Sequence, residues 1–116
     1  MNKLSVNENS YQELAARTIN KDLTKDEQKM HALHGMVGEI GEIHSLYQKV
    51  YQNHGEIDKD HLIKEVGDLL WFIAEFCTSI DVNLIDVMNT NIEKLRKRYP
   101  NGFDSERSIH REQGDI

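Results

Sequence analysis

Cysteine, proline and long apolar runs are scarce in this chain of 116 residues, and each absence excludes a class of protein. The single cysteine, Cys77, excludes a disulfide framework within the chain and is expected in the core. No apolar stretch approaches the ~18 residues that span a bilayer, and no signal peptide opens the chain. We therefore expect a soluble, cytoplasmic protein with no membrane partner.

Positive charge is also in short supply, because 14 Lys and Arg residues face 20 Asp and Glu residues and give a formal net charge of −6. Nonspecific binding of nucleic acid needs a basic surface that releases counterions, so we expect no nucleic-acid partner. The basic residues of the C-terminal part are Lys94, Arg96, Lys97, Arg98, Arg107 and Arg111. This cluster suits a phosphate-bearing small molecule better than a polymer.

The residues that are abundant favour helices, since helix formers dominate and no segment alternates like a set of strands. A length of 116 residues fits one domain, residues 1–116, with a modest core. Short connections predict antiparallel neighbours, so the expected fold class is all-α, a small antiparallel bundle of about four helices. We expect a homodimer or a dimer of dimers, with residues 1–9 and about 101–116 flexible or ordered by a partner.

Capping signals predict where the helices begin and end. Ser10 and Asp58 are expected N-caps, and Asn53-His54-Gly55 is expected to end the first long helix. The fourth helix is expected to begin at Asp81 and to stop before Pro100. The predicted helices are 11–19, 25–53, 58–79 and 81–99.

A short acidic pattern occurs twice, as Glu39-Ile40-Gly41-Glu42-Ile43 and as Glu65-Val66-Gly67-Asp68-Leu69. Acids three residues apart share a helix face, and the helical period places Glu39 and Glu65 within the apolar stripes, with Glu42 and Asp68 at their edges. A carboxylate in an apolar interior is costly unless it is protonated, paired or bound to a cation. Few basic residues share these faces, so we expect a metal site with oxygen ligands, for Mg²⁺ first and Mn²⁺ next.

Two other features bear on this metal site. The glycine inside each acidic pattern lowers helix propensity, which indicates close approach of the helices or room for a ligand. His31, His34, His44 and His61 offer imidazoles that Zn²⁺ would favour. The helical period separates His31 and His34 from Glu39, so the carboxylate site is preferred. A pair of solvated surface acids is the alternative for either motif taken alone.

A polar row on the fourth helix is a candidate phosphate site. Asn91, Lys94 and Arg98 lie along the margin of its apolar face. The amide supplies donors and an acceptor, and the two cations supply the charge that phosphate oxygens favour. Arg96 and Lys97 have an alternative role, because cations at a helix C-terminus complement the helix dipole.

Two further residues are candidate substrate contacts. Phe72 lies on the helix face that carries Glu65, where an aromatic ring either belongs to the core or stacks on a base. Arg111 lies in the C-terminal tail. We expect only a weak contribution from it, because ordering a tail costs conformational entropy.

The chain resembles the MazG-like branch of the all-α nucleoside triphosphate pyrophosphohydrolases in an ordered set of motifs. These are the two acidic motifs, Gly38 to Glu42 and Glu65 to Asp68, then Asn91-Ile92-Glu93-Lys94-Leu95, and then the segment Lys97 to Phe103. The resemblance extends from about Tyr11 to Arg111. It implies Mg²⁺-dependent hydrolysis of nucleoside triphosphates, dNTPs or aberrant nucleotides above all, between the α- and β-phosphates. Many members carry a further Glu where this chain has Gly38, and this difference affects the assignment of the substrate.

The resemblance also implies roles for the residues. Glu39, Glu42, Glu65 and Asp68 would bind Mg²⁺, and Glu39 or Glu42 would orient or deprotonate the attacking water. Lys94 and Arg98 would stabilise the leaving pyrophosphate. Two alternatives remain open: a phosphoribosyl-ATP pyrophosphatase-like enzyme, and a non-catalytic, metal-binding helical interaction module.

Overall fold

A computed structural model of the chain describes residues 4–52 and 55–116, and the regular elements of these residues are helices. They are α1 (Tyr11–Ala16), α2 (Lys25–Tyr51), α3 (Lys59–Ser79), α4 (Leu84–Arg98) and α5 (Ser105–Ile109). The all-α prediction is confirmed. None of these helices is both long enough and apolar enough to cross a membrane.

The helices belong to two compact units, one that ends at Val82 and one that begins at Asn83. In the first unit, α2 packs along α3, and α1 packs on α3. His31 of α2 contacts Glu75 of α3, whereas Glu39, farther along α2, lies beside Glu65, nearer the start of α3. The helices α2 and α3 therefore run antiparallel. The single domain over residues 1–116 and its assembly into an oligomer stay predictions.

The two long helices begin at strong N-caps. The hydroxyl of Thr24 accepts a hydrogen bond from the backbone N–H of Glu27, whose carboxylate accepts one from the backbone N–H of Thr24. Asp58 accepts hydrogen bonds from two backbone N–H groups of the first turn of α3, as predicted. Each cap satisfies donors that have no partner within the helix. At the other end of α2, the predicted stop residues 53 and 54 lie outside the described residues.

Other boundaries differ from the predictions. Ser10 occupies the N-cap position of α1, but its side chain makes no capping hydrogen bond. The prediction that a helix begins at Asp81 is wrong, because α4 begins at Leu84. Asp81 has a φ of +57°, in the left-handed region, which is incompatible with the first turn of an α-helix.

The C-terminal tail contains a helix that the sequence analysis did not predict. This helix, α5, covers only five residues, too few to show a helical period. Asp104 caps it by accepting hydrogen bonds from the backbone N–H groups of Glu106 and Arg107. The tail is therefore partly helical within its own unit.

A hydrogen-bonded tryptophan joins α1 to α3 within the first unit. Trp71 Nε1 donates to the hydroxyl of Thr18 at 2.8 Å and to the carbonyl of Ala15 at 3.2 Å. Ala15 is itself buried, and Cys77 is buried in the core as predicted. Burial raises the pKa of the Cys77 thiol above its usual value, which favours the inert protonated form.

The apolar stripe predicted for α2 is only partly buried. Leu33, Ile40 and Tyr47 are 39%, 56% and 46% exposed. The helix α2 packs on α3 with the face that carries Glu39, which leaves these three residues at its side. The apolar surface that remains has no partner within the described part of the chain.

Candidate metal centre

Three of the four predicted acids meet across the α2–α3 pair. Glu39 of α2 and Glu65 and Asp68 of α3 each offer one carboxylate oxygen, and these three oxygens lie within 4.8 Å of one another. The Glu65 side chain is 17% exposed, whereas Asp68 is open to solvent. The antiparallel arrangement thus converts two motifs that are distant in sequence into one anionic cluster.

Glu39 is the member of this cluster whose ionisation is most disfavoured by its surroundings. A hydrogen bond that its protonated form shares with Glu65, its burial, and the charges of Glu65, Asp68 and Glu42 raise the pKa of Glu39 to about 7. Its Oε2 atom is buried and has no hydrogen-bond partner. Buried polar atoms are normally paired, so this oxygen is free to coordinate a cation. A hard divalent cation fits, because its preferred ligands are carboxylate oxygens of this kind.

The fourth predicted acid, Glu42, lies one turn beyond Glu39 and is exposed. It does not belong to the group of three oxygens, although its negative charge contributes to the raised pKa of Glu39. Glu42 is thus close enough to act on the same site. Its carboxylate is exposed to solvent, like that of Asp68.

The glycines of the acidic motifs leave open space. A Cβ added to Gly41 or to Gly67 would meet nothing within 4 Å, so the described residues show no close helix approach at these positions. Room for a ligand, the other explanation, stays a prediction. Close approach occurs instead at Gly35, where a Cβ would overlap the ring of Phe72. Phe72 can pack over α2 because Gly35 carries no side chain.

Two residues that the sequence analysis did not assign to the site also approach the acids. His61 Nε2 lies 3.2 Å from Glu65 Oε1, one helical turn away, a spacing that was visible in the sequence. Burial, and after it the charge of Asp68, raises the pKa of Tyr11 on α1. No local pattern could have identified Tyr11, since only packing brings α1 to α3.

The histidines do not form a metal site of their own within the described residues. The ligand group that these residues provide contains carboxylates alone. His31 instead directs Nδ1 to both oxygens of Glu75, at 2.8 and 3.0 Å. The donor set therefore favours a hard cation over zinc.

The predicted phosphate contacts belong to the second unit. Asn91 and Lys94 are exposed on α4, and Arg111 is exposed in the tail. Arg98 is different, because its side chain is 8% exposed and donates two hydrogen bonds of 2.8 Å to Asp115. This bidentate pair raises the pKa of Arg98 and lowers the pKa of Asp115. Arg98 is already neutralised, which leaves Lys94 as the more accessible cation.

Lys94 opens onto a cavity within the second unit. The cavity has a volume of about 440 Å³, and Lys97, Arg98 and Arg107 are among the basic residues that line it. Asn91 and Arg111 are not part of its lining. Of the residues predicted to bind substrate, Phe72 lies in the first unit, beside His31 and Trp71. The roles of all these residues in substrate binding stay predictions.

Comparison with known proteins identifies the family. Residues 12–103 match the MazG nucleotide pyrophosphohydrolase domain. A segment of 45 residues is 36% identical to the Gene 37 protein of Mycobacterium phage L5, and the match covers 39% of this chain and 40% of the phage protein. No solved structure matches the chain. Because the domain match takes in both acidic motifs and all of α4, the chain belongs to the MazG nucleotide pyrophosphohydrolase domain family.

Proposed function

We propose that this protein hydrolyses nucleoside triphosphates between the α- and β-phosphates, with Mg²⁺ bound by the acidic cluster, and releases a nucleoside monophosphate and pyrophosphate. The observation that carries the proposal is the buried, unpaired Oε2 of Glu39 beside the carboxylates of Glu65 and Asp68. A non-catalytic binding module has no need for three converging acids, because their mutual repulsion and the burial of Glu39 destabilise the fold. The family to which the chain belongs supports the same reaction.

The acids divide into two roles in this proposal. Glu39, Glu65 and Asp68 hold the cation, which, when bound, polarises phosphate oxygens and lowers the pKa of a coordinated water. Glu42 lies outside the group of three but acts electrostatically on Glu39, so it is the carboxylate that orients the attacking water or accepts its proton. His61 holds Glu65 in place through its 3.2 Å contact.

Lys94 contributes positive charge to the phosphates. Phosphoryl chemistry depends chiefly on positioning and on charge stabilisation, and an ammonium on a flexible stem can follow the leaving pyrophosphate. Arg98 is held by Asp115 and supports α4 in this scheme.

The decisive experiment is an assay of the purified protein with the canonical deoxynucleoside and ribonucleoside triphosphates, oxidised and methylated nucleotides, and phosphoribosyl-ATP. We expect release of pyrophosphate, measured as orthophosphate that appears only after added inorganic pyrophosphatase. Mg²⁺ should be required and excess chelator should abolish turnover. Direct release of orthophosphate, or full activity in chelator, would contradict the proposed reaction.

A further inference from the structure

A second polar cluster lies on the same pair of helices, and the proposed chemistry does not use it. Glu75 of α3 is 1% exposed, and its carboxylate is partnered by Nδ1 of His31 at 2.8 and 3.0 Å. A buried carboxylate is costly unless it is hydrogen-bonded, so the pair must hold together for the hairpin to pack well. The His31 side chain is nevertheless 50% exposed. The pair therefore has a buried end and an open end.

The open end carries a single functional atom. Because Nδ1 must donate its proton to Glu75, the ring orientation is fixed and Nε2 points away from the carboxylate. No described residue hydrogen-bonds Nε2. The ring also lies 5.6 Å from Phe72 and 6.4 Å from Trp71, and Trp71 is anchored to α1 by its own hydrogen bonds. His31 thus presents one polar atom, Nε2, beside the aromatic rings of Phe72 and Trp71.

This cluster is aligned with the metal centre. At ~100° per residue, His31, Gly35, Glu39 and Glu42 fall within an arc of about 80° on α2, so His31 lies closer to the face of Glu39 than the sequence analysis expected. Glu65, Asp68, Phe72 and Glu75 fall within an arc of about 80° on α3. Glu75 lies seven positions after Asp68, which corresponds to a rise of about 10 Å along the helix. A continuous stripe therefore runs from the acids, past Phe72, to His31.

We propose that this stripe is the nucleoside half of the substrate site, in which Nε2 of His31 hydrogen-bonds the nucleobase and Glu75 acts as a positioning residue. The inference rests on the proposed function, because it takes the triphosphate to be held at Glu39, Glu65 and Asp68. When the triphosphate is held at these acids, the nucleoside reaches away from them by a distance comparable to the separation between the acidic cluster and the His31–Glu75 pair. Phe72 supplies an apolar surface on the way, and His31 supplies the hydrogen bond that an apolar pocket lacks.

Substitutions that mimic one nitrogen at a time test this assignment. His31→Asn keeps a hydrogen-bond donor near Glu75 but removes Nε2, the nitrogen that points away from Glu75. His31→Gln instead keeps a polar group near the position of Nε2. His34→Asn is the matched control, an exposed histidine one turn along the same helix. The probes are MnCl₂ alone, imidodiphosphate with Mn²⁺, and α,β-methylene analogues of the canonical deoxynucleoside triphosphates, each titrated by calorimetry.

We expect His31→Asn to weaken binding of at least one methylene analogue by about tenfold, the worth of one hydrogen bond. Binding of Mn²⁺ and of imidodiphosphate, which has no base, should be unchanged. His31→Gln should recover part of the loss. Glu75→Gln should act like His31→Asn on nucleotide affinity, and in turnover both should raise KM more than they lower kcat.

The outcomes separate this inference from the proposed function. If His31→Asn binds the methylene analogues as tightly as wild type does, the His31–Glu75 pair is purely structural and the inference is overturned. This holds even if the substitution lowers the melting temperature. Equal losses for imidodiphosphate would overturn it too. Nucleotide binding that depends on His31 without hydrolysis would contradict only the reaction, and a wild-type protein that binds none of the analogues would contradict both.

Discussion

Glu39 on α2 and Glu65 on α3 place carboxylate oxygens within 4.8 Å of each other, although 25 residues separate them in the chain. The contact with Glu65 is the largest cause of the raised pKa of Glu39, which is about 7. Two like charges held this close repel each other unless a proton or a cation lies between them. The native fold therefore maintains an arrangement that is unfavourable without a ligand.

This arrangement predicts how the stability of the metal-free protein depends on pH. The pKa of Glu39 is higher in the folded state than its ordinary value of 4.5, so the folded state binds more protons between pH 4.5 and about 7. Stability is fully present below that window and falls as pH rises through it. Glu39→Gln should remove this decline. The measurement is the melting temperature in chelator from about pH 5 to about pH 8, with Asp60→Asn, at an exposed acid, as control. If the melting temperatures of Glu39→Gln and wild type changed in parallel with pH, the prediction would be refuted.

Asp68→Asn should abolish turnover while the protein stays folded. The substitution removes one carboxylate from the group of three and weakens cation binding, so we expect a loss on the order of 10²-fold or more in kcat/KM. The metal-free melting temperature should stay level or rise, because repulsion is relieved. Asp60→Asn, an exposed acid on the same helix, should keep wild-type rates. Near wild-type turnover of Asp68→Asn at saturating Mg²⁺ would make Asp68 an ordinary surface acid.

Glu42→Gln should separate cation binding from chemistry. Glu42 lies outside the group of three oxygens, so Mn²⁺ affinity measured by calorimetry should be largely retained. Turnover should fall strongly, because the group that orients the water is lost. A loss of Mn²⁺ affinity as large as that caused by Asp68→Asn would instead identify Glu42 as a ligand.

Lys94→Met should lower kcat/KM on the order of 10²-fold if its charge stabilises the leaving pyrophosphate. Methionine keeps the helix propensity and the apolar stem, so the fold should survive. Arg96→Met is the matched control, because Arg96 is exposed on the same helix but does not line the cavity. Unchanged kinetics of Lys94→Met with several triphosphates would show that the basic row serves only the end of the helix.

We expect a homo-oligomer, most simply a dimer. Val37 and Ile40 of α2 are 72% and 56% exposed, and Val66 of α3 is 48% exposed. Apolar surface of this kind normally marks an interface. Light scattering at micromolar concentration should give a mass above 13.5 kDa, and Val37→Asp should reduce it, whereas Gln48→Asp, at an exposed polar position of the same helix, should not. A stable wild-type monomer would rule out this assembly.

The sequence by itself determined the four longer helices and the spacing of the acids. Helix period, the Asp58 cap and the spacing of Glu39, Glu42, Glu65 and Asp68 are local properties, so they can be read along the chain. The start of α4 was placed wrongly, because a left-handed residue such as Asp81 leaves no periodic signal. The helix α5 was missed because it is shorter than the windows in which periodicity is visible.

Only the tertiary structure decided which residues meet. The pairing of His31 with Glu75, the bond between Arg98 and Asp115, and the approach of Tyr11 to Asp68 join positions that no sequence spacing relates. The exposed side of α2 likewise could not be distinguished from a core face, since both are apolar. Periodicity specifies the face on which a side chain lies. Which neighbour covers that face depends on long-range packing, and packing is a property of the whole fold.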